Sequence, residues 1–276
     1  CGSNNEIADR TLANKLRVQG DVTLGLGIYT SYLSGDVDLT GTSRTLTLSN
    51  SAIFNGSVSN GTLRLVSTSP TRFLALGGSN QFSGVLNLGG GLLVLSNQHA
   101  LRGVTQILFN GNSTNGGTLG LTASNNADYS AIFSSADLQN YRVDTGGVDS
   151  TLATSLGSTN GTFSKSGLGT LTLPVANLFS GGATLAGGRL ALGHNQALGT
   201  GEFLVDQSGV EIEALVPHPC RRRKPGFLSQ QHGRPHPEPG GTLHQPVQQR
   251  LSNGDLWHFP GGGERSDRGR NQRYLS

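Results

Sequence analysis

The chain has 276 residues, with 42 glycines, 13% charged residues and a formal net charge of +3. This length allows one or two domains, but the glycine content and the scarcity of charge are unusual for an ordinary enzyme and indicate many turns. The sequence has no apolar run long enough to predict a membrane helix. Its two cysteines, Cys1 and Cys220, have the spacing of neither a disulfide framework nor a zinc site.

The chain begins with Cys1 and contains no methionine. We therefore interpret the sequence as a fragment or a processed product, so the lack of a signal peptide in it says nothing about export. A lipidated first residue of a mature bacterial lipoprotein is the alternative interpretation of Cys1.

Residues 1–216 form the first predicted region, in which leucines alternate with small polar residues. Such alternation places the leucines on one face of a β-strand. Before the repeat described below, strand segments of this kind are predicted at 44–48, 61–65 and 72–76.

An internal repeat links two parts of this region. Residues 80–103 recur at 177–200 with an offset of 97, and eleven of the 24 positions are identical, among them Asn80 and Asn177. A repeat at a fixed period predicts a solenoid or another stacked architecture.

The second copy contains the clearest strand pattern, GTLTLPVANLFSGGATLAGGRLALG. Leu171 and Leu173 are expected to face a core, and Pro174 ends the strand because it has no amide hydrogen to donate. Further short strands are predicted at 183–186 and 189–192. Three short strands within about 25 residues suit one coil of a solenoid whose coils stack on each other.

Several motifs of this copy resemble the autotransporter-associated β-strand repeat. They are KSGLGTLTL from Lys165, NLFSGG from Asn177, GGRLALG from Gly187 and QALGTG from Gln196. The segments 129–133 and 140–144 are similar to the spacer that often precedes this motif.

The resemblance covers most of residues 16–215 and is clearest over the copies 165–201 and 73–103. In the first copy, Arg102 stands in place of Gly199, so its turns are expected to be less regular. The resemblance implies an all-β fold, a right-handed parallel β-helix (β-solenoid).

The resemblance also implies a function. It is that of a non-catalytic, adhesin-like passenger segment of an exported bacterial surface or secreted protein, in which the repeat assists export and folding. The expected location is extracellular or on the bacterial outer surface, with extracellular glycans or surface proteins as partners. An outer-membrane barrel or another anchor would lie outside this fragment.

Acidic pairs offer a different function, that of a carbohydrate-active β-helix enzyme such as a polysaccharide lyase or hydrolase. Asp36 and Asp38, and likewise Glu211 and Glu213, are two residues apart and would share one strand face. With no third acid or basic partner nearby, we interpret both as solvated pairs. Catalysis would require three acids that align along the solenoid axis with Arg or Lys beside them.

The other polar candidates are interpreted as turn or loop residues: Asn80, Asn177, His99, His194, Asp144 and Asp149. The glycine pairs are interpreted as turns, because neither a P-loop lysine nor the context of a dinucleotide-binding loop is present. We therefore predict no catalytic, cofactor-binding or metal-binding residues, and no cofactor.

The second predicted region, 217–276, differs abruptly in composition. It holds ten Lys and Arg against four Asp and Glu, and eight of the ten prolines. The leucine alternation stops near Val216, and a one-base change of reading frame there would restore it. We interpret 217–276 as frameshifted, so that the run RRRK at 221–224 has no selected function and no specific nucleic acid is expected as a partner. A disordered basic arm that binds polyanions is the alternative.

Overall fold

The computed structural model describes residues 10–25, 29–111 and 116–215. All of them belong to one compact unit, Cys1–Cys220. Cys1, the predicted boundary at 216 and the basic region 217–276 lie outside the described residues. Regular structure within the described ranges consists of twenty β-strands and one 3-10 turn at Ser130–Ile132.

The strands are short and follow each other closely along the chain. The first eleven are β1 (Arg10–Leu12), β2 (Leu16–Arg17), β3 (Val22–Leu24), β4 (Ser31–Leu33), β5 (Val37–Leu48), β6 (Ala52–Phe54), β7 (Val58–Ser67), β8 (Phe73–Leu76), β9 (Gly84–Leu88), β10 (Leu92–Leu95) and β11 (Val104–Leu108). The others are β12 (Thr118–Gly120), β13 (Asn140–Asp144), β14 (Ser150–Thr151), β15 (Thr162–Ser166), β16 (Thr170–Leu173), β17 (Ala183–Leu185), β18 (Arg189–Leu192), β19 (Phe203–Val205) and β20 (Glu211–Ala214). The predicted segments 44–48, 61–65 and 72–76 lie within β5, β7 and β8, apart from Arg72, which precedes β8.

The strands form three sheets. The first sheet has ten strands in the order β1-β4-β6-β8-β10-β12-β13-β15-β17-β19. The second sheet covers the N-terminal half, in the order β11-β9-β7-β5-β2 with β3 also paired to β5, and the third covers the C-terminal half, in the order β14-β16-β18-β20. Every one of these strand pairs is parallel.

The chain thus passes from the first sheet to one of the other two and back, except between β12 and β13, which both belong to the first sheet, and each return to the first sheet adds one coil. Ten strands in that sheet correspond to about nine turns. The predicted all-β, parallel β-solenoid is therefore confirmed for the described residues.

Coil length varies along the solenoid. Phe73 pairs with Leu92, 19 residues later, whereas Leu92 pairs with Thr118, 26 residues later. The paired strands keep their register, so the additional residues lie in the connections between strands. Loops on the surface of a solenoid tolerate such differences because they do not disturb the stacking of coils.

The expectation of three short strands in one coil was wrong. Leu171 pairs with Leu190, so β16 and β18 are the same side of two successive coils and not two sides of one. A coil of the second copy therefore has about two strands, one in the first sheet and one in the third. Alternation within a strand identifies its inward face but carries no information on which strands stack.

The core is built from inward-facing rows that run along the solenoid. One row of the first sheet contains Leu93, Leu119, Val143, Lys165 and Leu185 as successive register partners. Each of these residues is at most 1% exposed. Burying a large apolar side chain contributes about 1.5–3 kcal/mol, so the stacked rows stabilise the fold by summation over coils.

The last described coil is open on one side. Val205 is the register partner of Leu185, and Ile212 is the register partner of Leu190. Leu185 and Leu190 are fully buried, whereas Val205 and Ile212 remain 47% and 50% exposed. Within the described residues, no further coil covers these two inward-row side chains.

Glycines at the corners explain how the two repeat copies differ. Gly199 has a φ of 64°, and a Cβ there would overlap the carbonyl oxygen of Phe179. In the first copy, Gly103 has a φ of 86° and meets the carbonyl oxygen of Phe82 in the same way. The position of Gly199 is thus taken by Gly103, one residue later than the alignment with Arg102 predicted, and the turn of the first copy is preserved.

Candidate functional site

The two repeat asparagines bridge three successive coils. Asn80 is fully buried; its Oδ1 accepts the backbone N–H of Val58 at 2.7 Å, and its Nδ2 donates to the carbonyl oxygen of Ala100 at 2.8 Å. Val58 belongs to the preceding coil and Ala100 to the following one. The amide therefore satisfies turn backbone, as predicted, but it does so in the neighbouring coils.

Asn177 makes the corresponding contacts in the second copy. Its Oδ1 accepts the N–H of Leu156 at 2.7 Å, and its Nδ2 donates to the carbonyl oxygen of Ala197 at 2.6 Å. Both Asn177 groups are buried in these bonds, so they hold coils together and do not face a ligand.

Lys165 is a buried cation in the core. Its Nζ donates to Thr145 Oγ1 at 3.0 Å, to the carbonyl oxygen of Gly167 at 2.6 Å and to that of Gly187 at 2.8 Å. These three oxygens match the three hydrogens of an ammonium group, and they come from corners of successive coils. Burial lowers the pKa of Lys165 to about 8, and the charges of Asp144 and Asp149 oppose this shift.

Asp36 and Asp38 both bind surface groups. Asp36 Oδ1 accepts the backbone N–H of Ser57 at 2.9 Å. Hydrogen bonds from the Asn60 amide and the Thr40 backbone lower the pKa of Asp38, and two nearby cations add to the effect. Both carboxylates thus accept hydrogen bonds from the following coil of the solenoid.

Asp149 lies in a loop, as predicted, whereas Asp144 was predicted as a loop acid but is the last residue of β13, because it continues the pairing of that strand with Gly120 and Ser166. Asp144 accepts hydrogen bonds from the Gly146 N–H at 2.7 Å and from Ser166 Oγ at 3.0 Å. Asp149 Oδ1 accepts the N–H of Thr170 at 2.7 Å, and this bond is the main reason that the pKa of Asp149 is lowered.

Glu211 and Glu213 are brought next to Arg189 on the outward face of the third sheet. The Arg189 guanidinium forms an ion pair with Glu211 and lies 3.6 Å from Glu213 Oε2. The hydrogen bond and the charge of Glu211 raise the pKa of Arg189, and the charges of Glu213 and Asp149 add to this effect. Sequence reasoning missed this cluster because Arg189 is 22 residues from Glu211 and meets it only through the register of β18 and β20.

The two histidines lie in exposed turns. The Nδ1 atom of His194 accepts the N–H of Gln196 at 3.0 Å, and the backbone N–H of His99 donates to Asn97 Oδ1 at 2.8 Å. Within the described ranges, no three His, Cys, Asp or Glu residues lie close enough together to hold a metal ion.

The outward face of the first sheet changes character along the solenoid. In its N-terminal half the outward positions are largely apolar and partly buried, and they include Tyr32, Ile53, Phe73, Leu92 and Val94. In its C-terminal half they are mainly polar, and they include Thr118, Arg142, Asp144, Ser164, Ser166 and Thr184. Because paired strands lie about 4.8 Å apart, these side chains form regularly spaced rows.

A shallow groove of about 430 Å³ crosses the polar half of this face. Its polar lining includes Asn140, Arg142, Ser164, Thr184, Glu202 and Asp206, together with the glycine pair that precedes β17. A second depression of about 210 Å³ shares Arg142 and Ser164 with it. The groove joins hydrogen-bonding side chains of four successive coils, and it therefore is the candidate contact site.

Sequence analysis pointed to neither Lys165 as a buried cation nor Arg142 as a groove residue. The sequence did contain a signal for Lys165, because this residue is two positions after Phe163 in β15 and therefore points to the same, inward side of the strand. The groove has no comparable signal, since it joins residues of β13, β15 and β17 only after the coils stack.

No protein-family model matches the chain, and no curated protein or solved structure matches it. The single short helical turn among the described residues is far below the length needed to cross a membrane. The fold and the site geometry therefore carry the functional conclusion.

Proposed function

We propose that the chain is a non-catalytic structural segment of an exported bacterial surface or secreted protein, of the autotransporter-associated β-strand repeat type. In this role the solenoid acts as a rod that extends from the cell or is released from it. Its outward faces then contact extracellular glycans or surface proteins.

The observation that carries the proposal is the shared structural role of the two repeat copies. Asn80 and Asn177 each join three coils, and Gly103 and Gly199 each occupy the same corner. The repeated motif thus encodes coil stacking, and about nine turns at about 4.8 Å each give a rod of about 43 Å. A rod built by repetition suits a spacer or a display surface.

The location of the protein tests this proposal. An antibody against the solenoid should detect the protein in the medium or on intact cells of the organism that carries the gene, and added protease should degrade it there. A cytoplasmic marker protein that stays intact controls for lysis. Detection in the cytoplasmic fraction alone would contradict the proposal.

The cluster of Arg189, Glu211 and Glu213 favours a second candidate, a polysaccharide lyase or hydrolase. Both glutamates already pair with Arg189, and their side chains are 61% and 49% exposed on an open surface. An enzyme of this kind would lose its activity on a polysaccharide when Glu211→Gln and Glu213→Gln are introduced. Equal product release by the unchanged chain and by this variant would reject the cluster as a catalytic site.

A further inference from the structure

Arg142 lines the outward groove, and it forms no ion pair within the described residues. Its Nη1 donates to the carbonyl oxygen of Gly116 at 3.4 Å, which is a long hydrogen bond. Among the described residues, no carboxylate lies within ion-pair distance of this guanidinium. The neighbouring acid, Asp144, is already bonded to Ser166 Oγ and to the N–H of Gly146.

The surroundings of Arg142 also disfavour an isolated cation. The side chain is partly buried, and this burial lowers the pKa of Arg142 without an opposing contribution from an acid. A guanidinium has five N–H donors in a planar fork, which matches a carboxylate or sulfate group. Within the described residues the guanidinium makes only the one bond to Gly116, so most of its donors are unused.

Two free hydroxyl groups follow Arg142 along the same row of the sheet. Ser164 is the register partner of Arg142, and Thr184 is the register partner of Ser164. Within the described residues, neither hydroxyl makes a hydrogen bond, and Glu202 and Asp206 add two carboxylates to the groove. The guanidinium and the two hydroxyls thus follow each other at the spacing of the strands, about 4.8 Å.

The floor of the groove is fixed by backbone. Gly181 and Gly182 leave space where other residues would project, and a Cβ on Gly182 would come within 3.0 Å of the Glu202 carbonyl oxygen. The strands beneath the groove already pair on both sides in the first sheet, so a peptide cannot add there as a further strand. A hydroxyl-rich ligand lying across the face makes better use of these groups.

We propose that this groove binds an acidic glycan, with a carboxylate of a sugar acid held by Arg142. The hydroxyls of Ser164 and Thr184 and the carboxylate of Glu202 bond the hydroxyls of the adjoining sugars. This inference rests on the proposed function, because it names the ligand class that the displayed surface contacts.

Calorimetric titration of the full chain with hexagalacturonate tests the proposal. Binding is expected, and it weakens as salt concentration rises because an ion pair is screened. Arg142→Gln should weaken binding by roughly tenfold or more, the usual effect of losing a charged hydrogen-bonded contact. Arg102→Gln removes the same charge from an exposed turn and should leave the affinity within about twofold, as expected for a surface charge outside the site.

Further measurements separate the ligand classes. Arg142→Lys, which keeps the charge but loses the fork, should bind with intermediate affinity, and the methyl-esterified hexasaccharide should not bind. Equal affinity of the unchanged chain and Arg142→Gln, or equal losses in Arg142→Gln and Arg102→Gln, would overturn the site. Equal binding of hexaglutamate would overturn the glycan as its ligand, and so would the absence of binding at millimolar hexagalacturonate. Because the titration uses purified protein, its failure is distinct from failure of the localisation test.

Discussion

Asn80 and Asn177 occupy equivalent positions 97 residues apart, and each accepts one backbone N–H from the coil before it and donates to one carbonyl from the coil after it. This relationship gives the sequence repeat a physical meaning. Four backbone groups that would otherwise be buried and unpaired are satisfied by two side chains.

Replacing either asparagine by alanine should destabilise the solenoid. In Asn80→Ala, the N–H of Val58 and the carbonyl of Ala100 lose their partner, and each buried unpaired group costs about 1–3 kcal/mol. We expect the free energy of unfolding to fall by about 2–4 kcal/mol, measured by urea denaturation. Asn195→Ala is the matched control, because Asn195 is exposed in a turn and should change stability by less than about 0.5 kcal/mol. Equal urea midpoints for the two variants would contradict the bridging role.

Lys165 should make stability depend on pH between about 8 and 10. Its pKa is about 8 in the folded chain and returns to the ordinary value of 10.5 on unfolding. In this window the unfolded chain binds more protons than the folded one, so the free energy of unfolding rises with pH. Between pH 7.5 and 9.5 the gain should be about 1–2 kcal/mol.

Chemical denaturation of the unchanged chain and of Lys165→Met at these two pH values measures this gain. The variant should lack it, because methionine does not titrate. The scan stops below pH 10, since burial raises the pKa of Tyr129 and Tyr141 and their ionisation would lower stability at higher pH. Parallel pH profiles for the two proteins would show that Lys165 is not responsible.

Much of the fold was predictable from alternation alone. The pattern TLTL correctly placed Leu171 and Leu173 in the core, because inward and outward positions of a strand differ in polarity. Which strands stack was not predictable, since the pairing of β16 with β18 depends on the length of the whole segment between them, which includes β17. The groove around Arg142 and the ion pairs of Arg189 depend on stacking, and for this reason the sequence did not reveal them.

Leu190→Asp should disrupt the neighbouring coils. Leu190 is fully buried between Leu171 and Ile212 in register, so the change removes apolar contacts and buries a charge. A loss of more than about 4 kcal/mol is expected, seen as a lower melting temperature by circular dichroism. Thr172→Asp, on the outward side of β16, should melt within a few degrees of the unchanged chain. Similar melting of both variants would show that the inward face is misassigned.

Replacing the corner glycines by alanine distinguishes the cost of backbone strain from the cost of steric overlap. Gly209 has a φ of 76° with open space around it, so Gly209→Ala adds only backbone strain of about 1 kcal/mol. Gly199→Ala and Gly103→Ala add an overlap with a carbonyl oxygen to a similar strain, and both should lose at least about 2 kcal/mol. Urea denaturation of the three variants compares these costs. A loss confined to Gly199→Ala would argue against the equivalence of the two corners.

The open side of the last described coil should promote association between chains. Val205 and Ile212 are half exposed although they occupy inward rows, and β19 and β20 each pair on one side only within the described residues. Sedimentation velocity should show concentration-dependent oligomers, and Ile212→Lys should reduce them. Leu168→Lys is the control, because Leu168 is 83% exposed in a turn away from these strands. Unchanged association in Ile212→Lys would place the contact elsewhere.

The corner glycine of the first copy is Gly103, although the sequence alignment places Arg102 at that position. Two coils can therefore be equivalent in structure where they are not equivalent in sequence. Descent by duplication leaves residues at fixed intervals, whereas the fold selects for a small residue beside the carbonyl oxygen of Phe82 or Phe179. A coil can therefore gain or lose a residue and still stack on the neighbouring coil. In repeats of this kind, the spacing of identical residues becomes irregular, while the contacts between successive coils stay the same.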